Sequence, residues 1–137
     1  MALVKYINED QAEPRVKAVF DDIKHTRQVE TINNFWLALA NDPAALERTW
    51  SSLKAIMSPE GELDPLTKEL IYVAVSITNG CDYCTVSHLA AARKAGLTAG
   101  QRNELLAIIG MANETNRLAT GYQVDIDPAL HSYASGL

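Results

Sequence analysis

Two thiols, Cys81 and Cys84, stand three positions apart at the start of a stretch of helical length that runs to about Ala95. At a helix start a thiol meets partly positive, unpaired backbone N–H groups, which favour the thiolate and lower the thiol pKa. Side chains three residues apart share one helix face, so the pair can approach closely enough for a reversible disulfide. His88 follows Cys84 by four, one turn further along that face, where an imidazole can take the Cys84 proton or stabilise its thiolate. This spacing suits thiol redox chemistry assisted by proton transfer.

Glu69 belongs with these three. It lies in the preceding helix, roughly 15 Å back along the axis from the turn, and His88 lies about 10 Å beyond that turn. If the two helices run antiparallel, Glu69 and His88 reach comparable depth and face each other. A carboxylate in so apolar a helix needs a partner, because burying an isolated charge is costly. Taken singly, each cysteine reads as a small buried core residue, and Glu69 as a solvated or salt-bridged one. The four-part spacing favours a Glu69, His88, Cys84 proton relay with Cys81 alongside. The same four residues also match a tetrahedral zinc shell, but closed zinc sites usually recruit a second ligand pair, which this sequence lacks. A redox sensor that alters its shape or partner through the disulfide is a third reading.

The elements that must hold these residues are all helices. Pro and Gly divide the chain into segments of helical length, with no internal repeat, low-complexity tract or long linker. Val16, Val19, Phe20 and Ile23 predict a helix from about Ala12 to Thr26 with one apolar stripe, and Pro14 fits its first turn. A short apolar segment follows from Ile32 to Ala40. Asp42-Pro43 then starts a helix to about Met57, with Leu46, Trp50, Leu53 and Met57 on its core face. Asp64-Pro65 repeats the signal for a helix to about Thr78. There Leu70, Ile71, Val73, Ala74, Val75 and Ile77 leave little polar surface, which predicts a central position. Asn79-Gly80 stops it, and Gly96 stops the cysteine-bearing helix. Thr98 to Gln101 forms a capping box for the next helix, which carries Leu105, Leu106, Ile108, Ile109 and Ala112. Past Asn113 the pattern weakens, and Gly121 and Asp127-Pro128 point to a looped tail with a small final turn.

With 137 residues, 47% of them hydrophobic, the chain suffices for one domain over residues 1–137 with its own core. A net charge of -5 argues against nucleic acid or an anionic membrane as partner. Asn8, Glu9 and Asp10 fall where a signal peptide needs its apolar segment, and no apolar run approaches the roughly 18 residues of a membrane span. Two closely spaced cysteines suit redox or metal chemistry in a reducing compartment, so a cytoplasmic protein is expected. No Gly-rich phosphate loop, serine nucleophile motif or haem attachment sequence occurs, and no cofactor is expected. Trp36 and Trp50 read as packing residues, His25 and His131 as surface or helix-end residues, and Tyr83 as a residue packing at the site mouth.

The stretch from Glu69 through Gly96, ELIYVAVSITNGCDYCTVSHLAAARKAG, resembles the carboxymuconolactone decarboxylase superfamily in its alkylhydroperoxidase D-like branch. The shared pattern comprises the glutamate, the Ser76 and Asn79 positions, the Cys-x-Tyr-Cys segment, the histidine four further on and the glycine after the helix. The resemblance implies an all-helical bundle assembled as a homotrimer or homohexamer, with Glu69, Cys81, Cys84 and His88 as working residues. It implies an enzyme that reduces hydroperoxides through the cysteine pair in antioxidant defence, recycled by a dithiol or disulfide-reductase donor. Tyr83 stands where alkylhydroperoxidase D proteins often carry a second histidine. The lactone decarboxylase branch does not rely on this cysteine pair, so keeping both thiols argues against that activity.

Overall fold

A computed structural model describes residues 2–134, and all regular structure among them is helical, as the sequence predicts. In chain order the elements are α1 (Pro14–Arg27), α2 (Asn34–Leu39), α3 (Pro43–Ile56), α4 (Pro65–Thr78), α5 (Asp82–Lys94), α6 (Ala99–Gly121), a 3-10 turn (Pro128–Leu130) and α7 (His131–Ala134). The chain divides into two compact units, Met1–Gly61 and Glu62–Leu137.

In the first unit the predicted stripe of α1, Val16, Val19, Phe20 and Ile23, is buried against Ile32, Trp36, Ala40, Leu46 and Trp50. The two tryptophans meet edge to face with ring centres 5.5 Å apart, the packing role expected of them. The Arg27 guanidinium lies 5.6 and 5.5 Å from their ring centres, within cation–π range of both. Pro43 opens α3 behind Asp42, whose side chain accepts the Ala45 N–H at 3.0 Å.

Asp22 ties α1 to α3. Its carboxylate accepts the indole N–H of buried Trp50 at 2.6 Å and the Lys54 ammonium at 2.8 Å. The hydrogen bond from Lys54, followed by that from Trp50, holds the Asp22 carboxyl below the usual range. A carboxyl with a depressed folded-state pKa adds stability above its unfolded value, about 3.9, and loses it as pH falls through the lower folded value. Asp22→Leu is expected to cost about 1–3 kcal/mol at neutral pH, because the buried indole N–H loses its acceptor. Asp22→Asn keeps an acceptor and gives up only the partly exposed Lys54 pair, so it should cost less than about 1 kcal/mol. Urea unfolding at pH 7 and pH 3 checks both. The gap between wild type and Asp22→Asn should narrow in acid, and an equal gap at the two pH values would contradict the assignment.

In the second unit α4 packs against both α5 and α6. Asp64 caps α4 by accepting the Thr67 N–H at 3.0 Å, with Pro65 in the first helical position. Val73, Ala92 and Ile109 are the buried apolar side chains among the described residues of this unit, and Ser76 is buried with them. The predicted central position holds, since α4 packs on both neighbours, but the helix is not covered on every face. Ile71 and Val75, four residues apart, are 50% and 53% exposed, because α5 and α6 cover other faces of the helix. Ile108 and Met111 of α6 are likewise open, at 59% and 61%. A groove of about 270 Å³ runs between α4 and α6, lined by residues that include Ala74, Val75, Ile108 and Ala112. Asn113 links the same two helices, donating to Thr78 Oγ1 at 3.1 Å and to the Ile109 carbonyl at 2.9 Å.

The capping box is present: Thr98 Oγ1 accepts the Gln101 N–H and Gln101 Oε1 accepts the Thr98 N–H. Beyond Asn113 the helix continues to Gly121, 23 residues in all. The left-handed residue that stops it is Gln123, with φ 51°, rather than a glycine. No helix among the described residues is long and apolar enough to cross a membrane.

Candidate active site

The turn between α4 and α5 does two jobs with one residue. Gly80 takes the left-handed conformation, with φ 70°, and its N–H reaches the Ile77 carbonyl while the Cys81 N–H reaches the Ser76 carbonyl. This double bond pattern closes a helix C-terminus and favours glycine at the position Gly80 holds. Asn79, the other residue of the predicted stop, stays right-handed. Cys81 is at once the last residue of that closing motif and the N-cap of α5, its Sγ accepting the Cys84 N–H at 3.2 Å. Both sulfurs thus lie in the first turn of α5, where orphan backbone donors concentrate.

Cys81 and Cys84 are joined as a disulfide with their Cα atoms 5.3 Å apart, as their three-residue spacing permits. Both are partly buried, while Tyr83 between them is 43% exposed. The hairpin also brings the two distant residues together: Glu69 Oε2 lies 2.7 Å from His88 Nδ1, with side chains only 17% and 14% exposed. The depth argument made from helix rise therefore meets the geometry. A carboxylate only accepts, so this contact calls for the ring proton on Nδ1 and leaves Nε2 as the basic position of the neutral ring. His88 follows Cys84 by one turn of α5.

One side chain escaped the sequence reading. The Tyr72 ring stacks on the His88 imidazole, with centres 3.5 Å apart and planes 16° from parallel. Tyr72 is three residues after Glu69 on α4, so it shares the face that meets α5. That helical offset was the available signal. Ser76, one turn further, donates its hydroxyl to the Tyr72 carbonyl at 2.7 Å. Among the described residues, no group of three or more His, Cys, Asp or Glu is arranged to hold a metal ion.

One helical hairpin thus carries a partly buried acid–imidazole pair and a Cys-x-x-Cys disulfide. The family model for the carboxymuconolactone decarboxylase family matches residues 43–125, and the chain belongs to that family. Within it the chain is AhpD-like. The crystal structure of the alkylhydroperoxidase AhpD core from Rhodospirillum rubrum is similar with a TM-score of 0.91 and 53% identity, over 95% of this chain and 97% of that one. An uncharacterized protein of Cupriavidus necator is 36% identical over 87 residues, 64% of this chain and 75% of the relative. Uncharacterized protein 4 in the cox locus of Paracoccus denitrificans is 33% identical over 63 residues, which span 46% of this chain and 57% of that protein.

Proposed function

We propose that this protein is a thiol-dependent peroxidase of the alkylhydroperoxidase type, acting through Cys84, Cys81, His88 and Glu69. The observation that carries the reading is the 2.7 Å contact between Glu69 and His88 on the hairpin that bears the Cys81–Cys84 disulfide. In the reduced protein, Glu69 holds the Nδ1 proton and Nε2 of His88 accepts the proton of the Cys84 thiol. The thiolate attacks the terminal oxygen of a hydroperoxide, the O–O bond breaks, and the departing alkoxide takes the proton from the imidazolium to leave as an alcohol. Cys84 is then a sulfenic acid. The Cys81 thiol displaces its hydroxyl as water and forms the disulfide. A dithiol donor reduces that disulfide by thiol exchange and becomes a disulfide itself.

The test is peroxide consumption by the purified chain, with hydrogen peroxide and organic hydroperoxides and with dihydrolipoamide or thioredoxin as donor. Turnover with at least one pair is expected. A reduced protein that fails to consume even one equivalent of any peroxide would overturn the reading.

The same proposal includes assembly as a homotrimer or homohexamer in the cytoplasm, with neither nucleic acid nor membrane as partner. The open apolar side chains Ile71 and Val75 of α4 and Ile108 and Met111 of α6, on two helices that pack together, support assembly, since exposed apolar surface of this kind marks an interaction site. Light scattering on the eluting protein should give three or six chain masses. A monomer would refute this part.

A further inference from the structure

Resting on the peroxidase reading, we infer that Tyr72 is a positioning residue for His88, holding its imidazole in one plane through the face of the phenol ring. The ring centres are 3.5 Å apart with planes 16° from parallel, a face-to-face contact rather than an edge contact. Beyond its covalent link, the imidazole is held by the Glu69 contact at Nδ1, and tilting of the ring about its Cβ–Cγ bond is the freedom that remains. A ring against its face removes that freedom and keeps Nε2 in one plane. When His88 takes a proton, the positive charge lies over the electron-rich face of an aromatic ring, where it is attracted.

The surroundings leave this role to few groups. Of the helices packed on one another here, α4 sets Glu69 and Tyr72 on the imidazole, and α5 itself carries Cys84 one turn before it. The carboxylate fixes the proton at Nδ1, and the ring fixes the plane. Tyr72 is anchored in turn, since its neighbours Val73 and Ser76 are fully or almost fully buried. The role belongs to the ring face and not to the hydroxyl, so phenylalanine should replace tyrosine there without loss.

His88 shares the chain with only His25 and His131, so its ring protons are readily assigned by NMR, and they report on the contact without any peroxidase assay. In the reduced wild-type protein they should be shifted upfield by the stacked ring. In Tyr72→Phe that upfield shift should be retained. In Tyr72→Leu the upfield shift should vanish. Alkylation of the Cys84 thiol at neutral pH should slow by about twofold to fivefold in Tyr72→Leu, the size expected for losing one cation–π contact, with its pH profile displaced to higher pH, and stay unchanged in Tyr72→Phe.

An unchanged rate and pH profile of Cys84 alkylation in a folded Tyr72→Leu protein would overturn the inference, as would a Tyr72→Phe protein that changes as far as the leucine variant. Should the leucine variant not fold, absence of the upfield shift in the wild type is by itself sufficient to reject it. A wild type inert to every peroxide would sink the proposed activity while leaving these His88 measurements to stand or fall alone.

Discussion

Cys84→Ser is expected to abolish peroxide consumption, while Cys81→Ser still reacts once and stops. The serine hydroxyl is far too weakly acidic to form the nucleophile at neutral pH, so with Cys84 gone no sulfenic acid forms. Cys81 acts only in the second step, and removing it leaves the first intact. A Cys81→Ser protein should therefore consume one equivalent of hydroperoxide and accumulate a Cys84 sulfenic acid that a dimedone-type reagent captures. The loss in steady-state turnover should exceed a thousandfold for either change, and the single-turnover burst separates them. Serine at position 81 is also a good N-cap, so the first turn of α5 keeps its acceptor for the Cys84 N–H. Full turnover by Cys84→Ser would reject the assignment. A burst in Cys84→Ser together with none in Cys81→Ser would exchange the roles of the two thiols.

The second large effect is expected at Glu69. Glu69→Gln retains the size of the side chain and can still hydrogen-bond His88, but it removes the negative charge beside Nδ1. The imidazolium that forms when His88 accepts a proton then lacks its counter-charge, at a site where both side chains are largely shielded from water. Proton transfer to His88 loses that support, and thiolate formation at neutral pH should slow by about a hundredfold, the low end of the usual range for general acid–base assistance. Iodoacetamide alkylation of the reduced protein, followed from pH 5 to pH 9, measures this directly. The rise in rate should move to higher pH, because the thiol must ionise with less help. A pH profile matching the wild type would reject the proton relay while leaving the cysteine chemistry standing.

The fold was largely legible in the sequence because its helix starts and stops are carried by residues with one local meaning. Asp42-Pro43 and Asp64-Pro65 both open helices, and Gly80 and Gly96 both take left-handed angles at helix ends. The end of α6 was hidden for the converse reason. Gly121 is still helical and the left-handed turn falls on Gln123, a residue type that announces nothing of the kind. The Glu69–His88 contact was predictable because both residues sit at countable distances from a single turn. Tyr72 was not identified because a tyrosine in an apolar helix reads as packing, and only the partner helix shows which ring it packs upon. The exposure of Ile71 and Val75 was likewise out of reach, since hydropathy says that a side chain favours burial but not which surface supplies it.

The double duty of Cys81 has a consequence for how this chain tolerates change in length. Because the residue that closes α4 is also the one that opens α5, the hairpin has no spare residue with which to absorb an insertion or a deletion. One residue added after Gly80 would carry His88 about 100° around its helix and about 1.5 Å along it, away from Glu69, even if every side chain of the site were kept. The count of residues between the acid and the imidazole is thus a component of the machinery, as specific as the side chains themselves.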